Sequence, residues 1–368
     1  MIGDGSVMLA AGGTGGHLFP AFALAEALAR RGVPVDLVTD TRGDRYGTGF
    51  PARNVYQVPS GTGGSAFKAA LAAIQLSRGV AAAHKLLGEV KPSVIIGFGG
   101  YPTFPPLLAA KLRGIATAIH EQNAVLGRAN KMLAARVDAI ATSFATTKGL
   151  DGALLAKATH TGNPVRAIVT AAAGTHYWRP VPGQPMNLLV FGGSQGARYF
   201  SESVPPALAL LPADVRARLN VTQQARPEDV DGVKAAYTAS GIAAEVATFF
   251  QDLPTRMANS HLVIGRAGAS TVAELTVIGR PSLLVPLPHS LDNDQLHNAR
   301  TLAESGGGWC IEQKELSPER LAHEIDKLIS HPAMLANAAS AAKAQGRPDA
   351  VEKLADLAVA LMARSRSS

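Results

Sequence analysis

Two segments of this chain share a pattern in which an apolar run stops at paired glycines and a helix-like pattern follows. In the second segment, Leu188 to Phe191 has the apolar character of a buried parallel strand, which Gly192-Gly193 ends. The apolar positions from Ala197 to Leu211 then predict a helix that Ser194 can cap. The pattern therefore predicts a strand, a glycine turn and a helix.

The same pattern stands near the start of the chain. Val7 to Ala11 predicts a strand, residues 12–16 include four glycines, and Phe22 to Arg31 predicts a helix. Such a turn directs free backbone N–H groups and the positive end of a helix dipole at one point, which suits a phosphate or diphosphate. A plain strand-to-helix connection explains either turn taken alone, but the presence of two favours phosphate binding.

The length of 368 residues predicts two domains rather than one core. In both halves apolar strands alternate with helices, which is typical of α/β domains with parallel sheets. We expect a first domain over residues 1–165, a linker rich in alanine, glycine and proline over 166–184, and a second domain over 185–349. A last helix over 350–364 follows a break at 346–348, and we expect it to pack back on the first domain. The prediction is two Rossmann-like domains that face each other across a cleft.

The formal charge of +7 is confined to the first half of the chain. Residues 1–165 hold 16 Lys and Arg against 9 Asp and Glu, whereas residues 166–368 hold 19 of each. A basic half attracts an acidic partner, such as nucleic acid, anionic lipid or a phosphorylated substrate. Aromatic residues are only 5% and no basic stripe alternates with them, so nucleic acid is disfavoured.

Cysteine usage and apolar stretches indicate the compartment. Cys310 is the single cysteine, which excludes a disulfide framework and a cysteine-based zinc site and fits a reducing cytoplasm. No basic leader precedes the first strand, so we expect no signal peptide. The stretch from Pro92 to Ala110 is apolar but contains four prolines and three glycines, so it does not predict a spanning helix. The protein is expected to be soluble or peripheral.

A long helix, or a pair of helices, is predicted over Phe67 to Val90. Lys68, Arg78 and Lys85 lie on or near its polar side. A surface helix with one face on the core is the favoured interpretation. A basic amphipathic element at a membrane surface is the alternative.

Polar residues follow the strand predicted over Ala116 to His120. Glu121, Gln122 and Asn123 come next, where open α/β sheets bind ligands outside the carboxyl ends of their strands. His17 closes the first glycine turn at a corresponding strand end. There it is either a base or acceptor contact or a structural histidine, and Glu121 is the rival candidate for the base.

Six motifs, taken in order, resemble the MurG family of bacterial glycosyltransferases over nearly the whole chain. They are Gly12-Gly13-Thr14-Gly15-Gly16-His17, Gly99-Gly100-Tyr101, His120-Glu121-Gln122-Asn123, Gly162-Asn163-Pro164-Val165-Arg166, Gly192-Gly193-Ser194-Gln195-Gly196-Ala197 and Arg266-Ala267-Gly268-Ala269-Ser270-Thr271-Val272-Ala273-Glu274. The resemblance implies a GT-B fold and an inverting transfer of GlcNAc, without metal or cofactor, from UDP-GlcNAc to the 4-hydroxyl of the MurNAc unit of lipid I. The product would be lipid II for peptidoglycan. The resemblance also implies a peripheral enzyme on the cytoplasmic side of the inner membrane, near anionic lipid.

The resemblance assigns the donor to the second domain and the lipid acceptor to the first. Catalytic candidates are His17 and Glu121. Donor contacts are implied for Thr14, Gly15, Gly16, Asn123, Arg166, Ser194, Gln195, Gly196, Phe250, Ala269, Ser270, Thr271, Glu274 and Gln295. Acceptor contacts are implied for Gly13, Thr14, His17 and Tyr101. Without the resemblance, Glu274 would be taken for a solvated glutamate on a helix face.

The chain departs from the family pattern at Asp294, which stands where a second polar sugar contact is common. No metal-binding D-x-D motif is expected, because Asp229-Val230-Asp231 is predicted in a surface loop and Asp292-Asn293-Asp294 lies where the family contacts sugar.

Two other classes of function remain open at this point. One is a different GT-B enzyme, either a UDP-GlcNAc 2-epimerase or a glycolipid synthase. The other is a non-catalytic sensor of a sugar nucleotide.

Overall fold

The structure is a computed structural model that describes residues 5–12, 15–39, 49–59, 66–181, 183–193 and 198–364. Its internal contacts divide the chain into two compact units. Unit 1 comprises residues 1–166 and 348–368, and unit 2 comprises residues 167–347. The segment predicted as a linker begins with a helix, α6 (Ala167–Ala172), that packs within unit 2.

Unit 1 is built on a seven-stranded parallel sheet with the order β3-β2-β1-β4-β5-β6-β7. Its strands are β1 (Val7–Ala10), β2 (Val35–Thr39), β3 (Asn54–Gln57), β4 (Val94–Gly97), β5 (Ala116–Glu121), β6 (Ala139–Thr142) and β7 (Ala158–His160). The order reverses between β1 and β4, because the chain first adds strands on one side of β1 and then on the other. The carboxyl ends of β1 and β4 are therefore the place where this sheet can hold a ligand.

Helices cover both faces of this sheet. They are α1 (Gly15–Arg30), α2 (Ala66–Val90), α3 (Phe104–Leu112), α4 (Arg128–Ala134), α5 (Gly152–Leu155) and the helix near the end of the chain, α15 (Ala350–Arg364). Side chains alternate along β1, so that Val7 and Leu9 face a core shared with α1 and α15. Met8 and Ala10 face the core beneath α2, α3 and α4. No helix within the described ranges is long and apolar enough to cross a membrane.

Unit 2 repeats this architecture with a six-stranded parallel sheet in the order β10-β9-β8-β11-β12-β13. Its strands are β8 (Met186–Phe191), β9 (Leu219–Gln224), β10 (Ala243–Ala247), β11 (Leu262–Gly265), β12 (Ser282–Leu284) and β13 (Gly308–Cys310). Besides α6, its helices are α7 (Arg198–Ala209), α8 (Ala213–Arg216), α9 (Val230–Ala239), α10 (Leu253–Ala258), α11 (Ala269–Ile278), α12 (Asp294–Glu304), α13 (Pro318–Ser330) and α14 (Pro332–Gln345). The order of this sheet reverses between β8 and β11, which again marks the carboxyl ends of two neighbouring strands.

Three differences from the sequence expectations have physical reasons. Neither β3 nor β7 is predicted from the sequence, because these edge strands are short, have no buried side chain and carry no apolar run. The first helix begins at Gly15, not at Phe22, so His17 lies in its first turn. Asp229-Val230-Asp231 begins helix α9 and does not lie in a surface loop.

The docking of α15 on unit 1 generates a test of stability. Leu354 on α15 is fully buried in the core that it shares with α1 and β1. We expect Leu354→Ala to cost about 2–5 kcal/mol of unfolding free energy, because it removes buried methyl groups and leaves a cavity. Lys353→Ala, at the exposed neighbouring position, should stay within about 0.5 kcal/mol. Urea unfolding measures both, and equal effects would contradict this packing.

Candidate functional site

In unit 1 the candidate site lies at the carboxyl ends of β1 and β4. Gly99 and Gly100, which follow β4, have φ angles of 87° and 75°, a conformation that side chains disfavour. A Cβ atom on Gly99 would lie 3.3 Å from His17 Nε2, and one on Gly100 would lie 3.5 Å from His17 Cε1. The two glycines therefore let the backbone after β4 approach the His17 ring closely.

The His17 ring is also oriented from its other side. Nδ1 lies 3.2 Å from the carbonyl oxygen of Gly12, a distance at which an Nδ1–H donates to that oxygen. The tautomer with the proton on Nδ1 carries its lone pair on Nε2. The partly buried His17 side chain is thus arranged to act through Nε2 as an acceptor or a base.

Glu121, the rival candidate for the base, has a different environment. Its side chain is only 1% exposed. One oxygen accepts from the backbone and side-chain nitrogens of Asn123 at 3.0 and 3.4 Å. The other accepts from the Gly127 backbone at 2.9 Å and from Asn130 Nδ2 at 2.8 Å. Burial raises the pKa of Glu121, and the four donors act in the opposite direction. The geometry is that of a carboxylate that holds the loop from residue 121 to residue 130 in place.

A buried network joins the loops after three strands of unit 1. His120 lies 3.0 Å through Nε2 from the carbonyl oxygen of Gly162, and Gln122 Nε2 lies 3.1 Å from His120 Nδ1. Gln122 also donates to the carbonyl oxygen of Phe98 at 2.9 Å. Burial lowers the pKa of His120 to about 4, so this histidine is neutral at neutral pH. The network fixes the loops after β4, β5 and β7 against one another.

Other predicted residues of unit 1 lie around this edge. Tyr101 is 40% exposed in a short 3₁₀ turn directly after Gly100. Asn123 is partly buried beside Glu121. The Arg166 guanidinium lies 5.3 Å from the centre of the Phe19 ring on α1. Gly15 and Gly16 begin α1, whereas Gly13 and Thr14 lie outside the described residues.

In unit 2 the corresponding edge brings together two helix N-termini. The strands β8 and β11 are neighbours, and α7 and α11 follow them in the chain. Gly193 has a φ of 87°, which only glycine adopts readily. Gly268 precedes α11 without a side-chain cap, and the buried hydroxyl of Ser270 in its first turn makes no hydrogen bond to the described residues. These ends can accept an anion. Ser194, Gln195 and Gly196 lie outside the described residues.

Glu274 lies on the second turn of α11, after Ala269, Ser270 and Thr271. It is only 9% exposed, so it is not a solvated glutamate on a helix face. Burying a carboxylate costs free energy that a surface position would avoid. Its position favours a role in binding over a role in solubility.

Gln295 connects two loops of unit 2. Its Oε1 accepts from the backbone N–H groups of Ala267 and Leu287 at 3.2 and 3.0 Å. The acceptor end of this side chain is therefore committed to the protein, and a sugar contact would come from its Nε2 donor. Asp294 accepts from the Gln295 backbone at 2.7 Å. Asp292 and Asn293, just before it, both have a φ of 54°, a strained conformation that often occurs at binding sites.

Phe250 follows β10 and is 7% exposed, with the Arg256 guanidinium 4.4 Å from the centre of its ring. Its neighbour Phe249 is 66% exposed. The sequence pattern predicts no role for Phe249, for Arg266 or for Asn298, which donates to the carbonyl oxygen of Ala267 at 3.0 Å. A signal was available for Arg266, since a charged residue directly after an apolar strand lies at the ligand-binding edge of such a sheet.

The side chains of the described ranges include no group of three or more His, Cys, Asp or Glu residues that could hold a metal ion.

Comparison with known proteins identifies the family. Residues 7–142 match the glycosyltransferase family 28 N-terminal domain, and residues 187–354 match the family 28 C-terminal domain. A curated protein of Rhizobium etli (strain CIAT 652) is 52% identical over 361 residues, which cover 98% of this chain and 96% of the relative. It is named UDP-N-acetylglucosamine--N-acetylmuramyl-(pentapeptide) pyrophosphoryl-undecaprenol N-acetylglucosamine transferase.

The chain belongs to the MurG family of glycosyltransferases. The crystal structure of Acinetobacter baumannii MurG superposes with a TM-score of 0.81 at 29% identity, and covers 96% of this chain and 99% of that one. The GT-B fold expected from the motifs is thereby confirmed. A UDP-GlcNAc 2-epimerase of Neisseria meningitidis, at 12% identity and a TM-score of 0.66 over 95% of this chain and 98% of its own, shares the fold alone.

The environment of Glu121 generates a test that separates positioning from proton transfer in this MurG-family enzyme. In Glu121→Gln an amide nitrogen would face two N–H donors. The variant therefore loses hydrogen bonds to a charged group, and each such bond contributes about 1.5–3 kcal/mol. We expect a lower melting temperature and a lower kcat. The fall in rate at low pH, which is the acidic limb of the pH–rate profile, should be retained. Glu89→Gln, at an exposed position on α2, is the control and should change neither. Loss of the acidic limb at unchanged stability would instead identify Glu121 as the base.

Proposed function

We propose that this MurG-family chain transfers GlcNAc from UDP-GlcNAc to the 4-hydroxyl of MurNAc in undecaprenyl-pyrophosphoryl-MurNAc-pentapeptide, lipid I, with inversion at the anomeric carbon. The product is lipid II, the precursor of peptidoglycan. The observation that carries the proposal is the 52% identity, over 98% of the chain, to a transferase named for this donor and acceptor. The oriented His17 and the uncapped N-terminus of α11 supply chemistry that such a transfer needs.

Unit 2 holds the donor in this proposal. The N-termini of α7 and α11 bind the diphosphate, since aligned backbone dipoles and N–H groups stabilise negative charge. The buried Glu274 holds the ribose hydroxyls, the backbone of Phe250 contacts uracil, and Nε2 of Gln295 contacts the sugar. The family resemblance implies donor contacts in this unit for Ser194, Gln195, Gly196, Phe250, Ala269, Ser270, Thr271, Glu274 and Gln295. It implies further donor contacts in unit 1 for Thr14, Gly15, Gly16, Asn123 and Arg166.

Unit 1 holds the acceptor and supplies the base. Nε2 of His17 takes the proton of the 4-hydroxyl while that oxygen attacks the anomeric carbon of GlcNAc. The bond between that carbon and the β-phosphate oxygen breaks, and UDP departs with the electron pair. Tyr101, Gly13 and Thr14 complete the acceptor contacts, and Glu121 keeps their neighbouring loop in position. Helix N-termini take up the charge of the departing UDP, so the proposed reaction uses no metal ion.

The layer formed by α2, α3, α4 and α5 is the proposed contact with the membrane, where the lipid acceptor resides. Residues 66–157, which comprise these helices and the strands and loops between them, contain eleven Lys and Arg against four Asp and Glu, a difference equal to the net charge of the whole chain. Large apolar side chains of these four helices are exposed to 48% or more, namely Ile74, Leu112, Met132 and Leu155. Basic and apolar groups on one layer suit an anionic lipid surface. We propose that this layer attaches the enzyme peripherally to the cytoplasmic side of the inner membrane.

The transfer itself is tested with purified protein, UDP-GlcNAc and a short-chain analogue of lipid I. We expect the disaccharide and one UDP per turnover, unaffected by a chelator. His17→Ala should lower kcat by about 10²–10⁴-fold, because it removes general-base catalysis, while UDP still binds. His84→Ala, on helix α2, is the matched control, and its kcat should stay near that of wild type. Turnover of UDP-GlcNAc without acceptor would indicate an epimerase, and UDP binding without any product would indicate a sensor.

The membrane contact is tested by co-sedimentation with vesicles that contain anionic lipid. Ile74→Ser with Leu112→Ser should weaken binding severalfold, because the variant buries less apolar surface in the interface. Leu210→Ser, at a 57% exposed leucine of unit 2, is the control and should bind like wild type. Equal losses for the layer variant and the control would contradict the assignment, as would binding that does not depend on anionic lipid.

A further inference from the structure

Arg266, directly after β11, is a buried cation whose hydrogen-bond partners among the described residues are all neutral. Its side chain is 8% exposed. Nη1 donates to the carbonyl oxygens of Val285 and Pro286 at 3.0 and 3.1 Å, and Nη2 donates to Gln313 Oε1 at 2.7 Å. The guanidinium thus ties the end of β11 to the loop after β12 and to the turn at Gln313.

No carboxylate of the described residues forms an ion pair with Arg266. Its Nε–H is buried and has no hydrogen-bond acceptor there. Burial lowers the pKa of Arg266, yet a guanidinium remains protonated in proteins. A buried charge is costly unless an opposite charge compensates it. Among the described residues, the positive charge of Arg266 is therefore not compensated by a carboxylate.

The position of this charge indicates which counter-ion would compensate it. The guanidinium carbon lies 5.4 and 5.1 Å from the ring centres of Tyr199 and Phe200. These rings belong to the first turn of α7, and α11 begins three residues after Arg266. Arg266 is thus placed beside both helix N-termini that the proposed function assigns to the diphosphate.

We propose that the uncompensated charge of Arg266 is the fixed counter-charge for the donor diphosphate, and that Arg266 acts as a positioning residue which makes this site select nucleoside diphosphates over nucleosides. The inference rests on the proposed function, because it takes the diphosphate of the donor as the ligand. In a partly buried environment, the interaction energy of two full charges is of the order of kilocalories per mole even when the charges are several ångströms apart. The electric field of Arg266 therefore stabilises UDP without direct contact. This stabilisation increases during the transfer, because the negative charge on UDP rises as UDP leaves the anomeric carbon.

Arg280 provides a matched control in the same unit. It is 1% exposed, donates to the carbonyl oxygens of Ala258, Gly279 and Thr175, and lies 5.4 Å from the centre of the Tyr177 ring. Arg280 precedes β12, so it lies at the amino ends of the strands, whereas Arg266 lies at their carboxyl ends. The two arginines have similar surroundings but lie at opposite ends of the strands.

The experiment measures UDP and uridine binding to the full chain by calorimetry. Arg266→Gln should weaken UDP binding about 10–100-fold and leave uridine binding within about twofold. Arg280→Gln should lower the melting temperature and leave the ratio of UDP to uridine affinity unchanged. A parallel loss of UDP and uridine affinity in Arg266→Gln would overturn the inference, as would unchanged UDP affinity. Failure of the wild type to bind UDP would instead contradict the proposed function.

Arg266→Lys keeps the inference testable if the glutamine variant does not fold. Lysine retains the charge, and burial lowers the pKa of a lysine. We expect UDP affinity near that of wild type at neutral pH, with a fall relative to wild type as the pH rises and the lysine loses its proton. Uridine affinity should show no such difference. A pH-independent ratio of variant to wild-type UDP affinity would overturn the inference.

Discussion

The reversal of strand order in each sheet is the constraint on which the rest of the structure depends. Between β1 and β4, and again between β8 and β11, the chain leaves neighbouring strands in opposite directions. The carboxyl ends of those strands are therefore not covered by a single connection, and short loops and helix N-termini meet there. Glycines such as Gly99 and Gly193 occur at these edges because the backbone must turn sharply or approach a side chain closely.

The two sites organise their polar groups differently. In unit 1, Glu121 and His120 are buried and saturated with hydrogen bonds, so they fix loops, and the proposed function assigns the proton transfer to His17. In unit 2, Arg266 and Gln295 fix loops as well, but Arg266 carries a charge that no described carboxylate balances. A site that must orient a hydroxyl benefits from rigid neutral surroundings, whereas a site that binds a diphosphate benefits from excess positive charge.

Much of the fold could be predicted from the sequence. The apolar runs of β1, β4, β8 and β11 are buried on both faces, and this produces the uninterrupted apolar signal of a parallel sheet. The edge strands β3 and β7 give no such signal because few of their side chains are buried. The sequence predicts too late a start for α1, because glycines at a helix start resemble a turn in sequence. The six motifs identified the family, and the domain matches and relatives confirm it.

The sequence by itself determined which chemical groups stand at the ends of the strands: glycine turns, a histidine, carboxylates and amides in a fixed order. Only the tertiary structure decided which of them the protein uses internally. Glu121 and Gln295 looked available in sequence, yet the Glu121 oxygens accept from backbone groups of its own loop, and Gln295 Oε1 accepts from the backbone at Ala267 and Leu287. His120 meets the carbonyl oxygen of Gly162, 42 residues away. His120 and Gly162 come together only when the strands pair, so no local pattern in the sequence reveals their contact.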